Sequence, residues 1–247
     1  MKKILKPVLF LILISYLVYL RLLVPDVQWL KVKNPKTTSL MRIREAKFRK
    51  NKENIRIERI WVPLNKVSEN LIHAIVLSED MSFFSHKGIS WLELEIALRG
   101  YLQKGNLPLS GSSTITQQLA KNIFLTPEKT ILRKIIEMAI TYKLEGSLSK
   151  NRILELYLNV IEFGKGIFGA QAASRFYFNK SAENLTVSEA VRLVSIIPNP
   201  IKYSPFDNTS EFLNELRQKL SVNLYEHNFI DAAVLKNLLL EFNVTNN

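Results

Sequence analysis

Cysteine is absent from the 247-residue sequence, so neither a disulfide framework nor a thiolate metal site is possible. Runs of alternating polar and apolar residues are also scarce, and only residues 57–62 suggest a short extended piece. No internal repeat is present. Wholesale disorder is excluded as well, because hydrophobic residues make up 47% of the chain and aromatic residues 10%. A chain of this length can bury one substantial core and has room for a small appended lobe.

Acidic residues are few only in the N-terminal part of the chain. Residues 1–60 hold 15 Lys and Arg against 4 Asp and Glu, whereas residues 61–247 hold 19 against 18. The net charge of +12 therefore belongs almost entirely to the N-terminal segment. A nucleic-acid binder more often carries its charge on the folded face, so nucleic acid is not an expected partner. A basic stretch beside a membrane anchor instead suits anionic lipid head groups.

An apolar run near the N-terminus predicts a membrane anchor. Residues 8–20 are interrupted only by a serine and two tyrosines, and apolar character resumes at 22–24. As a helix, residues 7–24 span about 27 Å, close to the roughly 30 Å of a hydrocarbon core. No small-x-small site follows, so a retained span is favoured over a cleaved signal peptide. We predict a transmembrane anchor at 1–25, a basic juxtamembrane linker at 26–60 and a catalytic domain at 61–247.

Beyond Ser68 the pattern is helical. Ser68 is a candidate N-cap, Ser90 with Glu93 and Thr186 with Glu189 are candidate capping boxes, and Pro198 ends a helix. The segment before Ser68 reads as a linker that runs into a basic helix or a short strand, and 105–113 reads as a loop. An all-α fold follows, with helices predicted at 68–80, 90–104, 114–123, 130–145, 150–159, 168–177, 187–197, 210–225 and 231–242.

The end of the first of these helices carries a candidate proton acceptor. Ile72, Val76 and Glu79 share a face, so Glu79 continues an apolar stripe. Desolvation there would raise the pKa of its carboxyl group and suit it to accept a proton. Asp80 points about 100° away around the helix. An exposed helix end with ordinary acids is the alternative for this pair of residues alone.

A second patch, residues 111–122, combines a glycine-serine loop with a polar helix face. Its hydroxyls, amides and one cation suit sugar hydroxyls and a phosphate, and a helix start offers free N–H groups to an anion. The alternative is a solvated face. This face comprises Thr114, Gln117, Gln118 and Lys121.

Ordered motifs join these patches to a known family. The sequence E-D-x-x-F-x-x-H-x-G is met by Glu79, Asp80, Phe83, His86 and Gly88. G-G-S-T-I-T-Q-Q followed by L-x-K-N is met at 111–122, with Ser112 in place of a second glycine. R-K-x-x-E and S-K-x-x-I-L-x-x-Y-L-N follow at 133–137 and 149–159. Over residues 60–205 the chain resembles the peptidoglycan glycosyltransferases, lysozyme-like enzymes that polymerise lipid II, in their monofunctional, membrane-anchored branch.

The resemblance implies an inverting transfer. The growing glycan would pass from undecaprenyl pyrophosphate to the 4-hydroxyl of lipid II, with Glu79 as general base. Glu137 would be the second catalytic acid, which either holds the cations of the leaving-group site or binds a divalent ion. The implied substrate-binding residues are Asp80, Phe83, His86, Ser113, Thr114, Gln117, Gln118, Lys121, Asn122, Arg133 and Lys134.

The resemblance also implies the surroundings of the enzyme. No organic cofactor is expected, and Mg²⁺ or Mn²⁺ at Glu137 is left open. The expected partners are lipid II, the polyprenyl-pyrophosphate-linked glycan and the bilayer, with cell division or elongation proteins as further candidates. The expected location is the bacterial inner membrane, with a single span and the catalytic domain on the periplasmic side.

Two rival functions remain at this stage. A lysozyme-type hydrolase would also need a buried glutamate, although the cations and the anchor favour transfer. A noncatalytic membrane-tethered scaffold is the other, and the retained Glu79 and Glu137 weigh against it. Residues 147–150 fit the S-x-x-K of penicillin-binding domains, but no K-T-G follows, so this match is interpreted as accidental.

Overall fold

The computed structural model describes residues 24–90, 95, 113–128 and 130–242. The predicted membrane span and nearly all of the predicted helix 90–104 and loop 105–113 lie outside these residues. No helix in the described part of the chain is both long enough and apolar enough to cross a bilayer.

The described part is mostly helical, and the elements follow the predicted order. Most predicted helix starts lie within two residues of the observed ones. In chain order the helices are α1 (Ser39–Lys50), α2 (Glu69–Glu79), α3 (Ile115–Phe124), α4 (Ile131–Ser147), α5 (Lys150–Val160), α6 (Ala170–Phe178), α7 (Val187–Ile196), α8 (Glu211–Glu226) and α9 (Ala232–Phe242), and single 3₁₀ turns occupy Gln28–Lys31, Leu64–Lys66 and Ala182–Asn184.

Side-chain caps set several of these starts, as the sequence predicts. The Ser68 hydroxyl accepts a hydrogen bond from the Asn70 N–H at 3.2 Å and begins α2. Thr186 and Glu189 form the predicted capping box of α7. Such a cap satisfies backbone N–H groups that have no partner within the helix. The sequence pattern thus identifies both the period and the termini of these helices.

A small sheet departs from the all-α prediction. Strands β1 (Glu58–Arg59), β2 (Glu162–Gly164) and β3 (Ile167–Phe168) form a sheet of order β1–β3–β2. β1 runs parallel to β3, and β2 pairs antiparallel with it. β1 lies within the extended piece predicted at 57–62, whereas β2 and β3 are too short for an alternating pattern to reveal them. Gly166 adopts φ +84° at the turn between β2 and β3, where a side chain would also clash with the backbone oxygen of Arg56.

Helix α3 lies at the centre of the domain and positions the candidate site. It packs against α1, α4 and α5, while α2 packs on α7 and α8. Burial of its apolar residues Ile115, Leu119 and Ile123 fixes the rotation of α3 and so the side on which Gln118 and Lys121 lie. The fully buried apolar side chains of α2, α3 and α5 include Leu71, Ile75, Ile115, Leu119 and Leu156.

Residues 26–50, predicted to be part of a linker, fold onto this core. Val27, Leu30 and Met41 are almost fully buried in the same apolar cluster as the helices. Arg44 on α1 forms a bidentate ion pair with Glu162 on β2, with nitrogen–oxygen distances of 2.7–3.0 Å. The basic composition conceals these few apolar residues, so the sequence predicts the helix or strand at the end of this linker but not its packing on the domain.

Candidate active site

Glu79 ends α2, and its carboxylate meets an amide from α3. Gln118 Nε2 donates a hydrogen bond to Glu79 Oε2 at 2.7 Å. Burial raises the pKa of Glu79 above its usual range, and the nearby Asp80 adds to this, whereas the Gln118 hydrogen bond and the Lys121 charge oppose it. Burial is the largest of these causes, as expected where a carboxyl group leaves water. Glu79 is therefore better suited to accept a proton than an exposed glutamate is.

The Gln118 amide is itself held at both ends. Tyr157 on α5 donates its hydroxyl proton to Gln118 Oε1 at 3.1 Å. Gln118 Nε2 also approaches the backbone oxygen of Ser113 at 3.3 Å. A chain of hydrogen bonds therefore runs from α5 through α3 to the end of α2.

A cationic cluster lies on the neighbouring helix α4 around Glu137, which is 2% exposed. Arg133 Nη1 and Lys134 Nζ each lie 2.5 Å from a different Glu137 oxygen. Lys134 Nζ also donates to Ser113 Oγ at 3.2 Å. These charge-assisted bonds to one carboxylate hold Arg133 and Lys134 close together.

Lys121 on α3 connects this cluster with Glu79. Burial lowers the pKa of Lys121, as do Arg133 and Lys134, while the charges of Glu137 and Glu79 raise it. Lys121 thus interacts electrostatically with both glutamates. The structure brings together Glu79, Gln118, Ser113, Lys121, Arg133, Lys134 and Glu137.

Asp80 and His86 form a separate buried contact beneath this group. His86 Nε2 lies 2.8 Å from Asp80 Oδ1, and the Ile115 N–H donates to Asp80 Oδ2 at 3.0 Å. The Gly88 N–H donates to His86 Nδ1, so Nε2 carries the proton that Asp80 accepts. Both Asp80 oxygens are engaged within the protein, and the residue is 1% exposed. These contacts join the loop after α2 to the start of α3.

Several other predicted substrate-binding residues lie in the interior. Thr114 and Gln117 form a capping box at the start of α3, and Thr114 Oγ1 donates to the Gly88 carbonyl at 2.6 Å. Gln117 and Asn122 are buried rather than placed on an open polar face, and Phe83 is fully buried. The predicted contacts of Asp80, Phe83, His86, Thr114, Gln117 and Asn122 with substrate stay predictions.

The donor set around Glu137 does not suit a metal ion. Its two oxygens are paired with Arg133 and Lys134, and a divalent cation would have to displace these charges. Among residues 24–90, 95, 113–128 and 130–242, no group of three or more acids or histidines could hold a metal. No chemical step is therefore assigned to a metal below.

Two features of the site were not identified from the sequence. The sequence pattern places Tyr157 on a packing helix, but it does not show which group the tyrosine hydroxyl contacts. Lys150 pairs with Glu145 at 2.8 Å, and its Nζ lies 4.5 Å from the centre of the Phe83 ring.

A mostly helical domain that sets a desolvated carboxyl group near a cluster of cations has the features of an enzyme that transfers a group away from an anionic leaving group. The family model described as transglycosylase matches residues 46–225, so this chain belongs to the transglycosylase family.

Its relatives agree with this membership. A biosynthetic peptidoglycan transglycosylase of Azoarcus sp. (strain BH72) is 46% identical over 178 residues, which cover 72% of this chain and 77% of the relative. One of Chromobacterium violaceum is 39% identical over 217 residues, 88% of this chain and 95% of the relative. One of Bordetella pertussis is 40% identical over 191 residues, 76% and 78% respectively. The predicted family resemblance is thereby confirmed, and a mostly helical, lysozyme-like domain is consistent with it.

Proposed function

We propose that this chain polymerises the glycan strands of peptidoglycan for bacterial cell wall biogenesis. It transfers the growing chain from undecaprenyl pyrophosphate to the 4-hydroxyl of lipid II. Each transfer forms a β-1,4 bond and inverts the anomeric configuration. The names of the relatives support the peptidoglycan substrate class.

In this proposal Glu79 is the general base. As its carboxylate takes the proton of the acceptor 4-hydroxyl, the oxygen forms a bond to the donor's anomeric carbon. The bond between that carbon and the phosphate oxygen breaks, and pyrophosphate leaves with the electron pair. Burial, which raises the pKa of Glu79, supports this role, because it makes the carboxylate a stronger proton acceptor.

The cationic cluster stabilises the leaving group. Lys121, Arg133 and Lys134 place positive charge where the pyrophosphate gains negative charge, which lowers the barrier more than it stabilises the ground state. Glu137 holds Arg133 and Lys134 in one place. The observation that carries the proposal is the position of Lys121, which interacts with Glu79 on one side and with the Glu137 cluster on the other.

The segment before the described residues is proposed to anchor the enzyme in the cytoplasmic membrane, with the domain on the periplasmic side. Both substrates carry long polyprenyl tails, so a site held near the bilayer meets them where they reside. Division or elongation proteins are candidate partners in this setting. Fractionation of cells that express the full chain, with protease digestion from the periplasmic side, tests this placement.

Polymerisation of lipid II by the full chain in detergent or liposomes tests the central proposal. Glu79→Gln keeps the shape and the Gln118 contact but cannot accept the proton. Because a positioned base gives roughly 100- to 10,000-fold, kcat should fall by about that factor. Near wild-type polymerisation by the folded variant would overturn the assignment of the base. Release of cleaved glycan instead of polymer would favour a hydrolase.

A further inference from the structure

The hydroxyl of Tyr157 is a buried polar group for which the proposed mechanism has no use. The residue is fully buried on α5, and its O–H donates to Gln118 Oε1 at 3.1 Å. A buried hydroxyl needs such a partner, since an unmade hydrogen bond costs more than a made one contributes. Tyr157 therefore fixes one end of an amide whose other end contacts Glu79.

The orientation of the Gln118 amide follows from its neighbours. Its Nε2 end faces two acceptors, Glu79 Oε2 at 2.7 Å and the Ser113 carbonyl at 3.3 Å. Its Oε1 end faces the donor Tyr157. The network of partners assigns the amide this way round, since a flip would set oxygen against the Ser113 carbonyl and the carboxylate.

We propose that Tyr157 is a positioning residue that locks the Gln118 amide with its N–H toward Glu79. This rests on the proposed function of Glu79 as the base. The lock holds Glu79 Oε2 in a hydrogen bond that favours the ionised carboxylate. No described residue donates to the other oxygen, Oε1, so Oε1 is the atom that takes the acceptor proton.

Without the tyrosine hydroxyl the amide is free to rotate. Its oxygen can then face Glu79, where it accepts a hydrogen bond from a protonated carboxyl group and favours the uncharged form. The enzyme would then need a higher pH to ionise its base.

Other charged groups near Glu79 also raise or lower its pKa, and they must stay the same in all variants that are compared. Asp80 follows it on the chain, Lys121 faces it from α3, and Tyr157 faces it from α5. The charged groups in the next layer are His86 and Lys150 near Asp80, and Arg133, Lys134 and Glu137 near Lys121.

The pH dependence of kcat and KM for Tyr157→Phe tests the proposal. We expect kcat at the acidic end of the profile to fall about 3- to 10-fold below wild type, with a smaller change at the alkaline plateau and an unchanged KM, because one hydrogen bond is lost. Tyr177→Phe is the matched control, since Tyr177 donates its hydroxyl to the Phe163 carbonyl at 3.0 Å. An acidic limb that coincides with that of wild type would overturn the proposal.

A double-mutant cycle separates positioning through Gln118 from a structural effect. In a Gln118→Met background the amide is gone, so Tyr157→Phe should produce no further displacement of the acidic limb. An equal displacement in both backgrounds would contradict the proposed route.

Side-chain amide NMR of the full wild-type chain in micelles gives a second readout. It depends neither on activity nor on whether the Tyr157→Phe variant folds. The Gln118 Nε2 protons of the wild type should titrate with Glu79, and the response should vanish in Glu79→Gln. A flat Gln118 signal would overturn the proposal even if Glu79→Gln is inactive. Conversely, an active Glu79→Gln variant would overturn the assignment of Glu79 as the base. The titration of the Gln118 amide in the wild type would still stand, so the two proposals can fail separately.

Discussion

The ends of α2 and the first turns of α4 each present a glutamate to the site, but the two carboxylates have different neighbours. Glu79 accepts a hydrogen bond from a neutral amide, and among the described residues the positive charge that acts on it is that of Lys121. Glu137 pairs directly with Arg133 and Lys134. Glu79 is thus desolvated, whereas Glu137 belongs to an ion-pair network.

The contrast assigns the roles. A desolvated carboxylate with little nearby positive charge has a higher affinity for a proton. A carboxylate between two cations is stabilised in its ionised form. The charges of both glutamates act on Lys121, so in the proposed mechanism Lys121 would connect the base with the leaving-group site. Substitutions of Lys121, Glu137, Arg44 and Glu79 test this difference between the two acids.

Replacing Lys121 removes the residue on which the charges of both glutamates act, and it should lower turnover strongly. Lys121→Ala should lower kcat about 100- to 1,000-fold, as loss of one preorganised group at a developing charge does elsewhere. Steady-state polymerisation of lipid II measures this, and titration with a phosphoglycolipid inhibitor should reveal weaker binding.

Lys66→Ala is the control for the loss of a lysine, because Lys66 forms an exposed ion pair with Glu183 at 3.0 Å. Its effect on kcat should be negligible. Unchanged inhibitor affinity in Lys121→Ala would contradict the phosphate role of this residue.

Glu137→Gln tests whether the α4 acid acts by pairing. Loss of the carboxylate leaves Arg133 and Lys134 beside each other without a counter-charge, and we expect a loss of about 2–3 kcal/mol in the free energy of unfolding. This is below the loss for a fully buried pair because Lys134 keeps 41% of its side-chain exposure. Urea unfolding of the full chain measures it.

The exposed pair Glu45–Arg49, 3.9 Å apart, provides the control. Glu45→Gln should change stability by no more than about 0.5 kcal/mol. Equal losses in the two variants would indicate that Glu137 is not the centre of an ion-pair network.

The helices and the two glutamates could be predicted because both depend on local patterns. Ser68 and the pair Thr186 and Glu189 are caps whose partners lie two or three residues away. Glu79 stands on an apolar stripe of its own helix. The motif spacing then identifies Glu137 without any knowledge of packing.

The rest depends on contacts that are distant in sequence. Tyr157 meets Gln118 across 39 positions, and Arg44 meets Glu162 across 118. Gln117 shares the polar side of its helix with Gln118 in projection, yet its side chain turns back to cap α3. Periodicity gives the face of a helix but not which side chain bonds to its own backbone.

Glu162 extends the comparison to a third buried acid. Burial raises its pKa, and Arg44 opposes that shift. Arg44→Ala would leave this acid without its partner, and we expect a loss of about 2 kcal/mol, reduced from the value for a fully buried pair because Arg44 is 26% exposed. Thermal and urea unfolding measure the loss, with Arg49→Ala as the control. Equal stability of the two variants would contradict the tight packing of residues 26–50 on the domain.

Glu79→Gln should have the smallest effect on stability and the opposite sign. A carboxyl group whose pKa is raised by folding contributes its full stabilisation below its unfolded pKa of about 4.3, and this contribution is lost as pH rises from there through the folded pKa. The neutral amide has no such loss, so the variant should be more stable than wild type at neutral pH by about 0.5–2 kcal/mol. That advantage should vanish near pH 4. Paired urea titrations at both pH values measure it, and a variant less stable than wild type at neutral pH would show that Glu79 is held by favourable pairing, as Glu137 is.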